Sequence, residues 1–286
     1  MRHSIFVTLS LTGLIAVSGC DRPDSEAEVN RALRDINVID ETNLNDVMLQ
    51  SSDPGEAVAY FTRASTANPD RIDLARGLAK SLIRAKRPAM AIQAWKRVTE
   101  MEEATYDDQV ELADAYIRDS KWDEASATLN AIPPTHETYK RYRLEAMVAD
   151  SQQQWEKADS FYEIAIGLTL KPAPVLNNWG FSKLTRGDAR GAERLFAEAL
   201  REDPGEFTTK NNLVLARAAQ RNYDLPVIQM TQIERAQLLY TVALAAIKQG
   251  DVATGRGLLK AAIDTHPQHF EAASRSLKAL EANVTN

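Results

Sequence analysis

Cysteine is almost missing from this chain of 286 residues, where Cys20 stands alone. A single thiol cannot build a disulfide framework, so the folded part must hold together by packing. Histidine is scarce as well, and only His266 and His269 lie near each other. With no cysteine and no third ligand close by they make a poor zinc set, and no cofactor is expected. The sequence has no Gly-x-Ser-x-Gly, no Ser-x-x-Lys and no cysteine nucleophile. Gly255-Arg256-Gly257 lacks the strand and third glycine of a phosphate-cradling loop and lies in a helical pattern, so it reads as a packing site. These absences argue against an enzyme and against a small-molecule substrate. Positive charge is in deficit, with a net charge of −6. Nucleic acid needs a clustered basic footprint that these runs do not supply. Apart from Ile5 to Val17 the chain has no long apolar run, and that one falls short of the ~20 residues that span a bilayer comfortably.

What is present is a repeat. Small residues recur at Ala57, Ala91, Ala125, Ala158 and Ala192, separated by 34, 34, 33 and 34. Four places after each stands a large residue, Phe61, Trp95, Leu129, Tyr162 and Phe196, and three beyond that Ala64, Val98, Ile132, Ala165 and Ala199. Such a register puts one apolar stripe on a helix in every unit. A preceding helix carries Leu44, Leu78, Leu112, Trp179 and Leu213 in phase, a column broken only by Glu145. The unit is clearest from Asn177 to Pro204, where Trp179-Gly180 lie in a first helix, Gly187-Asp188 make a turn, and the second helix stops at Asp203-Pro204.

This spacing resembles the tetratricopeptide repeat, TPR. The resemblance implies an all-α chain, an α-α superhelix of six to seven repeats in residues 38–286. Units start near 38, 72, 106, 139, 173, 207 and 236, and a capping helix over 269–282 presents Phe270, Ala273, Leu277 and Leu280. Helix starts are expected at Asp53-Pro54-Gly55-Glu56, at Asp70 with Asp73, at Thr105 with Asp108, and at Thr231 with Glu234. Trp122 and Trp155, one period apart, are assigned to packing at the turn in preference to recognition. Pro226 falls where a second helix should run, which predicts a defective sixth unit and an irregular joint over 222–230.

Ahead of the array, Arg2, the apolar run and Val17-Ser18-Gly19 immediately before Cys20 read as a lipoprotein signal over 1–19, with Cys20 as the lipidated residue. Residues 20–37 then form a polar tether. Lipobox, tether and array together look like periplasmic bacterial lipoproteins. The segments Asn211 to Ala216, Leu225 to Thr231, Glu234 to Leu239 and Ile263 to Phe270 are similar to the TadD family, the TPR lipoproteins of the tight-adherence (Flp) pilus machinery. That resemblance implies a non-enzymatic scaffold on the periplasmic face of the envelope that helps assemble or place a pilus secretin or another Tad component. It points to the outer membrane, whereas Asp21 resembles the signal that retains lipoproteins in the inner one. The alternative is another periplasmic TPR lipoprotein, serving envelope-protein assembly or cell-wall synthesis.

In a TPR array the second, fifth, ninth and twelfth places of each first helix share a face. Here that face carries Arg76, Lys80, Lys140 and Arg143 in the early units and Asn177, Phe181, Leu184, Asn211, Leu215, Tyr240 and Leu244 in the later ones. Either it forms a groove, basic at one end and apolar at the other, that receives a partner's amphipathic helix or tail, or these side chains pack against the adjacent helix.

Overall fold

The computed structural model describes residues 44–284; the signal, Cys20 and the tether lie outside them. Helices follow one another in antiparallel-style pairs along the chain. The first described helix, α1, covers 44–50. Then come α2 (Pro54–Ala67), α3 (Ile72–Arg84), α4 (Pro88–Thr99), α5 (Tyr106–Arg118), α6 (Trp122–Asn130), α7 (Tyr139–Ser151) and α8 (Trp155–Gly167). The rest are α9 (Ala173–Thr185), α10 (Ala189–Glu202), α11 (Phe207–Ala219), α12 (Gln232–Lys248), α13 (Val252–Thr265) and α14 (Glu271–Val284). This is an all-α superhelix of the TPR type, with no strand among the described residues.

The periodic columns form its core. Ala57, Ala91, Ala125, Ala158 and Ala192 are fully buried, and so are the large residues after them from Phe61 to Phe196. Ala64 departs from its column and is only half-buried. Place eight of the first helix meets the second helix at close range, so it holds a small residue: Ala79, Ala113, Ala146, Gly180 and Ala243 are all buried. A Cβ at Gly180 would stand 2.7 Å from Cε1 of Phe196. In the sixth unit the place is taken by the larger Val214, since no second helix follows to crowd it.

Every complete first helix from α3 to α12 ends the same way. The N–H two residues past the helix cap reaches back to a carbonyl five residues earlier, as in Arg87 to Leu82 at 2.9 Å and Asp188 to Lys183 at 2.9 Å. The residue between is left-handed, at Lys86, Ser120, Gln153, Gly187, Arg221 and Gly250. Only two of these six are glycine, so four side-chain-bearing residues accept a φ near 57–59°.

Most expected helix starts are in place. Asp53 accepts from the N–H groups of Gly55 and Glu56, and Thr105 with Asp108 and Thr231 with Glu234 form reciprocal capping boxes. Asp70 does not cap α3, whose N-cap is Arg71 and whose first-turn Asp73 is held by the Arg71 guanidinium at 2.7 Å. Glu145 leaves the apolar column because it accepts from Nε of the buried Arg141 at 2.8 Å. Two backbone carbonyls, of Pro133 and His136, take Nη1 of the same arginine, so the charge is satisfied between units.

Residues 220–231 contain no helix. The segment crosses as a strap: Leu225 and Met230 lie on the core of Val214, Leu238 and Val242, Ile228 packs beside Phe196 and Leu213, and the Tyr223 hydroxyl donates to the Asp251 carboxylate. Val227 at its crown is fully exposed. Limited proteolysis should therefore cut near Val227 ahead of every helix. The two pieces should stay together on a sizing column, because Val214 on one side of the cut is buried with Leu238 and Val242 on the other. Uniform protection of the strap, or separation of the pieces, would contradict this account.

Candidate functional site

The first-helix face is stitched by polar contacts from each first helix to the next. Arg76 on α3 donates through Nε and Nη2 to Asp108 on α5, both at 2.7 Å. Lys140 on α7 lies 2.6 Å from Glu111 and 3.3 Å from Asp114 on α5. Oδ1 of Asn177 on α9 accepts from Thr209 at 3.2 Å and Asn212 at 3.0 Å on α11, and Asn211 repeats the device toward Thr241 on α12 at 2.8 Å. The Tyr240 hydroxyl meets Ser276 of α14 at 3.2 Å.

This stitching changes the charge expected at the early end. Arg76 and Lys140 are present, but each is neutralised by carboxylates of α5, so the face there is not a basic strip. Lys80 is exposed, and Arg143 is half-buried with no acceptor at Nε. The apolar members divide in the same manner. Leu184 packs into the core of Phe196, Leu200 and Leu213, and Tyr240 lies against the Phe270 ring with centroids 5.4 Å apart. Leu215 is half-buried. Phe181 and Leu244 stay open to solvent, at 54% and 41% exposure.

Phe181 borders a depression of about 480 Å³ lined by residues of α6, α7, α8, α9 and α11. Its walls are Trp122, Met147, Trp155 and Phe181, and its polar groups include Asp150 and Asn177. The two tryptophans do pack: Trp122 lies on the core of the early units, and Trp155 carries the Arg186 guanidinium 5.7 Å from its ring centre. Yet each is only half-buried and lines this depression. Their shared phase one period apart was the signal for it in the sequence.

Two carboxylates nearby have opposite surroundings. For Asp159 burial works to raise the carboxyl pKa, but Lys183 at 2.9 Å, Arg186 at 2.5 Å and Nε1 of Trp179 at 2.5 Å outweigh it and hold the group ionised. Asp150 accepts only hydroxyls, from Ser182 at 2.6 Å and Tyr162 at 2.8 Å. Burial pushes its carboxyl above the usual range, and those hydrogen bonds do not compensate. The Tyr162 hydroxyl is itself driven far upward, by burial first and by Asp150 second. Among the described residues no group of three or more His, Cys, Asp or Glu side chains could hold a metal, and no helix is long and apolar enough to cross a membrane.

Comparisons with known proteins agree with this architecture. A tetratricopeptide-repeat family model matches residues 46–108. Among solved structures the chain is similar to the APC/C hetero-tetramer Cut9-Hcn1, at 14% identity and a TM-score of 0.60 over 82% of this chain and 48% of that one. It is also similar to the human IFIT1 dimer with PPP-AAAA, at 14% identity and a TM-score of 0.56 over 79% and 59%. A tetratricopeptide repeat protein from Parabacteroides merdae is similar at 13% identity and a TM-score of 0.53, over 90% of this chain and 100% of that one. The chain thus spans about half the length of the first two. At such identities the likeness establishes the fold alone: this is a TPR superhelix. No curated protein matches the sequence.

Proposed function

We propose that the chain is a lipid-anchored scaffold on the periplasmic face of the envelope that binds a protein segment along its first-helix face and helps assemble or place a component of a tight-adherence pilus system, its secretin foremost. The observation that supports binding is the exposed Phe181 over an aromatic-walled depression on the first-helix face. A large aromatic side chain left open beside two half-buried tryptophans has no folding role to account for it. The anchor rests on the lone Cys20 after Val17-Ser18-Gly19, and the pilus assignment on the C-terminal segments similar to the TadD family.

Two variants test the two halves. Phe181→Ala with Leu215→Ala should leave the unfolding midpoint nearly unchanged, because neither side chain is buried, while capture of the partner from crosslinked envelopes and pilus assembly fail. A loss of several kcal/mol in stability would instead make these side chains packing residues. Cys20→Ala should abolish lipid modification, seen by mass spectrometry, and detergent partitioning. Maturation and partitioning like the wild type would sink the anchor. Gradient fractionation of the lipidated protein then assigns it to the outer membrane, or to the inner one as Asp21 suggests.

A further inference from the structure

The depression under Phe181 has a chemistry of its own. Its walls include aromatic rings and a thioether, from Trp122, Trp155, Phe181 and Met147, and Asp150 is the carboxylic acid that borders it. At about 480 Å³ it lies within the ~300–1,000 Å³ typical of sites that enclose a small group. Asp150 is fixed in place by the hydroxyls of Ser182 and Tyr162, so its orientation is set before anything binds. The cations around it are engaged elsewhere or do not reach it. Arg186 bonds to Asp159 at 2.5 Å and acts on Asp150 only through space, Lys183 bonds to the same Asp159 carboxylate at 2.9 Å, and Arg143 acts on Tyr162 through space and donates nothing to Asp150. A carboxylate supplied with hydroxyl donors but with no bonded cation, at the edge of an aromatic hollow, is complementary to one kind of side chain. It needs an apolar stem to lie against rings and a positive head to meet the acid.

Building on the groove reading above, we propose that this depression receives one lysine or arginine side chain of the bound partner segment, its stem against Trp122, Trp155 and Phe181 and its charged head on Asp150. The partner's docking stretch is then an apolar segment with a basic residue at one fixed position. Neutralisation of Arg76 and Lys140 within the array is in keeping with this, because it removes the pull that an acidic segment would have felt.

The test is a selection of phage-displayed random peptides on the purified full chain in detergent, run in parallel on Asp150→Asn and on Phe181→Ala with Leu215→Ala. Wild type should enrich peptides with lysine or arginine at one position among apolar neighbours, and Asp150→Asn should lose that basic preference while keeping the apolar one. For a selected peptide, changing the basic residue to methionine should weaken binding to wild type by about tenfold, the worth of one charge-assisted contact, and should change little with Asp150→Asn. The peptide comparison on wild type stands even where Asp150→Asn folds poorly. Enrichment that Phe181→Ala with Leu215→Ala abolishes but that shows no basic position, or an acidic one, overturns this inference and spares the groove. A basic preference undiminished by Asp150→Asn also overturns it. No enrichment by wild type, or enrichment indifferent to the Phe181 and Leu215 changes, removes the groove reading and this inference together.

Discussion

Phe196→Ala should lower the unfolding free energy by about 3–5 kcal/mol, the range for deleting a buried aromatic side chain from a core that cannot close over the gap. Phe196 is fully buried and fills the space between α9 and α10 against Gly180. The contact is tight enough that Gly180→Ala should itself cost about 1–3 kcal/mol by overpacking, despite its better helix propensity. The two changes should not add. A smaller side chain at 196 frees the volume that a methyl at 180 needs, so Gly180→Ala should be less harmful on a Phe196→Leu background than on wild type. Urea titrations of the four proteins measure this coupling. Additivity within ~0.5 kcal/mol would mean that the ring and the glycine do not determine each other's size.

Asp108→Ala should cost about 2–4 kcal/mol, for reasons of charge and not of volume. The carboxylate is almost fully buried, receives both nitrogens of the Arg76 fork, and closes the capping box with Thr105 through its N–H at 2.8 Å. The figure lies below that for a wholly buried pair because Arg76, at 28% side-chain exposure, regains some water when its partner goes. The same group gives stability a pH dependence. Burial alone would raise the Asp108 carboxyl, but the Arg76 fork and the Thr105 N–H overcome it and hold the folded pKa below the ordinary 3.8. A lowered folded pKa means that the unfolded chain binds the proton more tightly. The contribution is therefore fully present above the unfolded value and is lost as pH falls through the folded one. Asp108→Asn, which keeps an acceptor but no charge, should flatten that acid limb. An unchanged limb would assign it to other carboxylates.

The fold was legible because a solenoid writes its packing into one short period. Ala192, Phe196 and Ala199 are spaced as they are because one helix face meets the same neighbour in every unit, and the same constraint recurs at Ala91, Trp95 and Val98. Pro226 was equally readable, since its ring is incompatible with a helix interior whatever surrounds it. The turns were less so. Lys86, Ser120, Gln153 and Arg221 occupy the left-handed place that Gly187 and Gly250 hold, and nothing in a lysine or a glutamine advertises a positive φ. The face was half legible. Place number located Asn177, Phe181 and Leu244 on it, but the charge of Arg76 and Lys140 could not be judged without knowing that Asp108, Glu111 and Asp114 stand opposite. Those acids come from a different helix, and the apolar stripe of one helix does not say which polar side chain of the next will stand opposite. Asp150 was missed for the same reason: its partners, Tyr162 and Ser182, lie 12 and 32 residues away.

The missing second helix of the sixth unit bears on how the molecule comes apart. Apolar side chains gather into separate clusters along the array, one reaching from Val58 to Val148, a next around Tyr162, another around Phe196, and a last under α14 around Leu259. Each cluster touches only its neighbours, so the free energy of the whole is a chain of local terms joined by nearest-neighbour couplings. At 220–231 one such coupling is carried by the strap, by the packing of Val214 on Leu238 and Val242, and by polar links such as Lys210 to Glu234 and Asn211 to Thr241, in place of a full helix pair. The regular alternation of helix pairs is interrupted there, and cooperativity is expected to divide at that interruption. Heat or denaturant should be able to melt α12 to α14 while the units built on Trp95 remain folded, and the protein then has two stabilities, one on each side of Pro226.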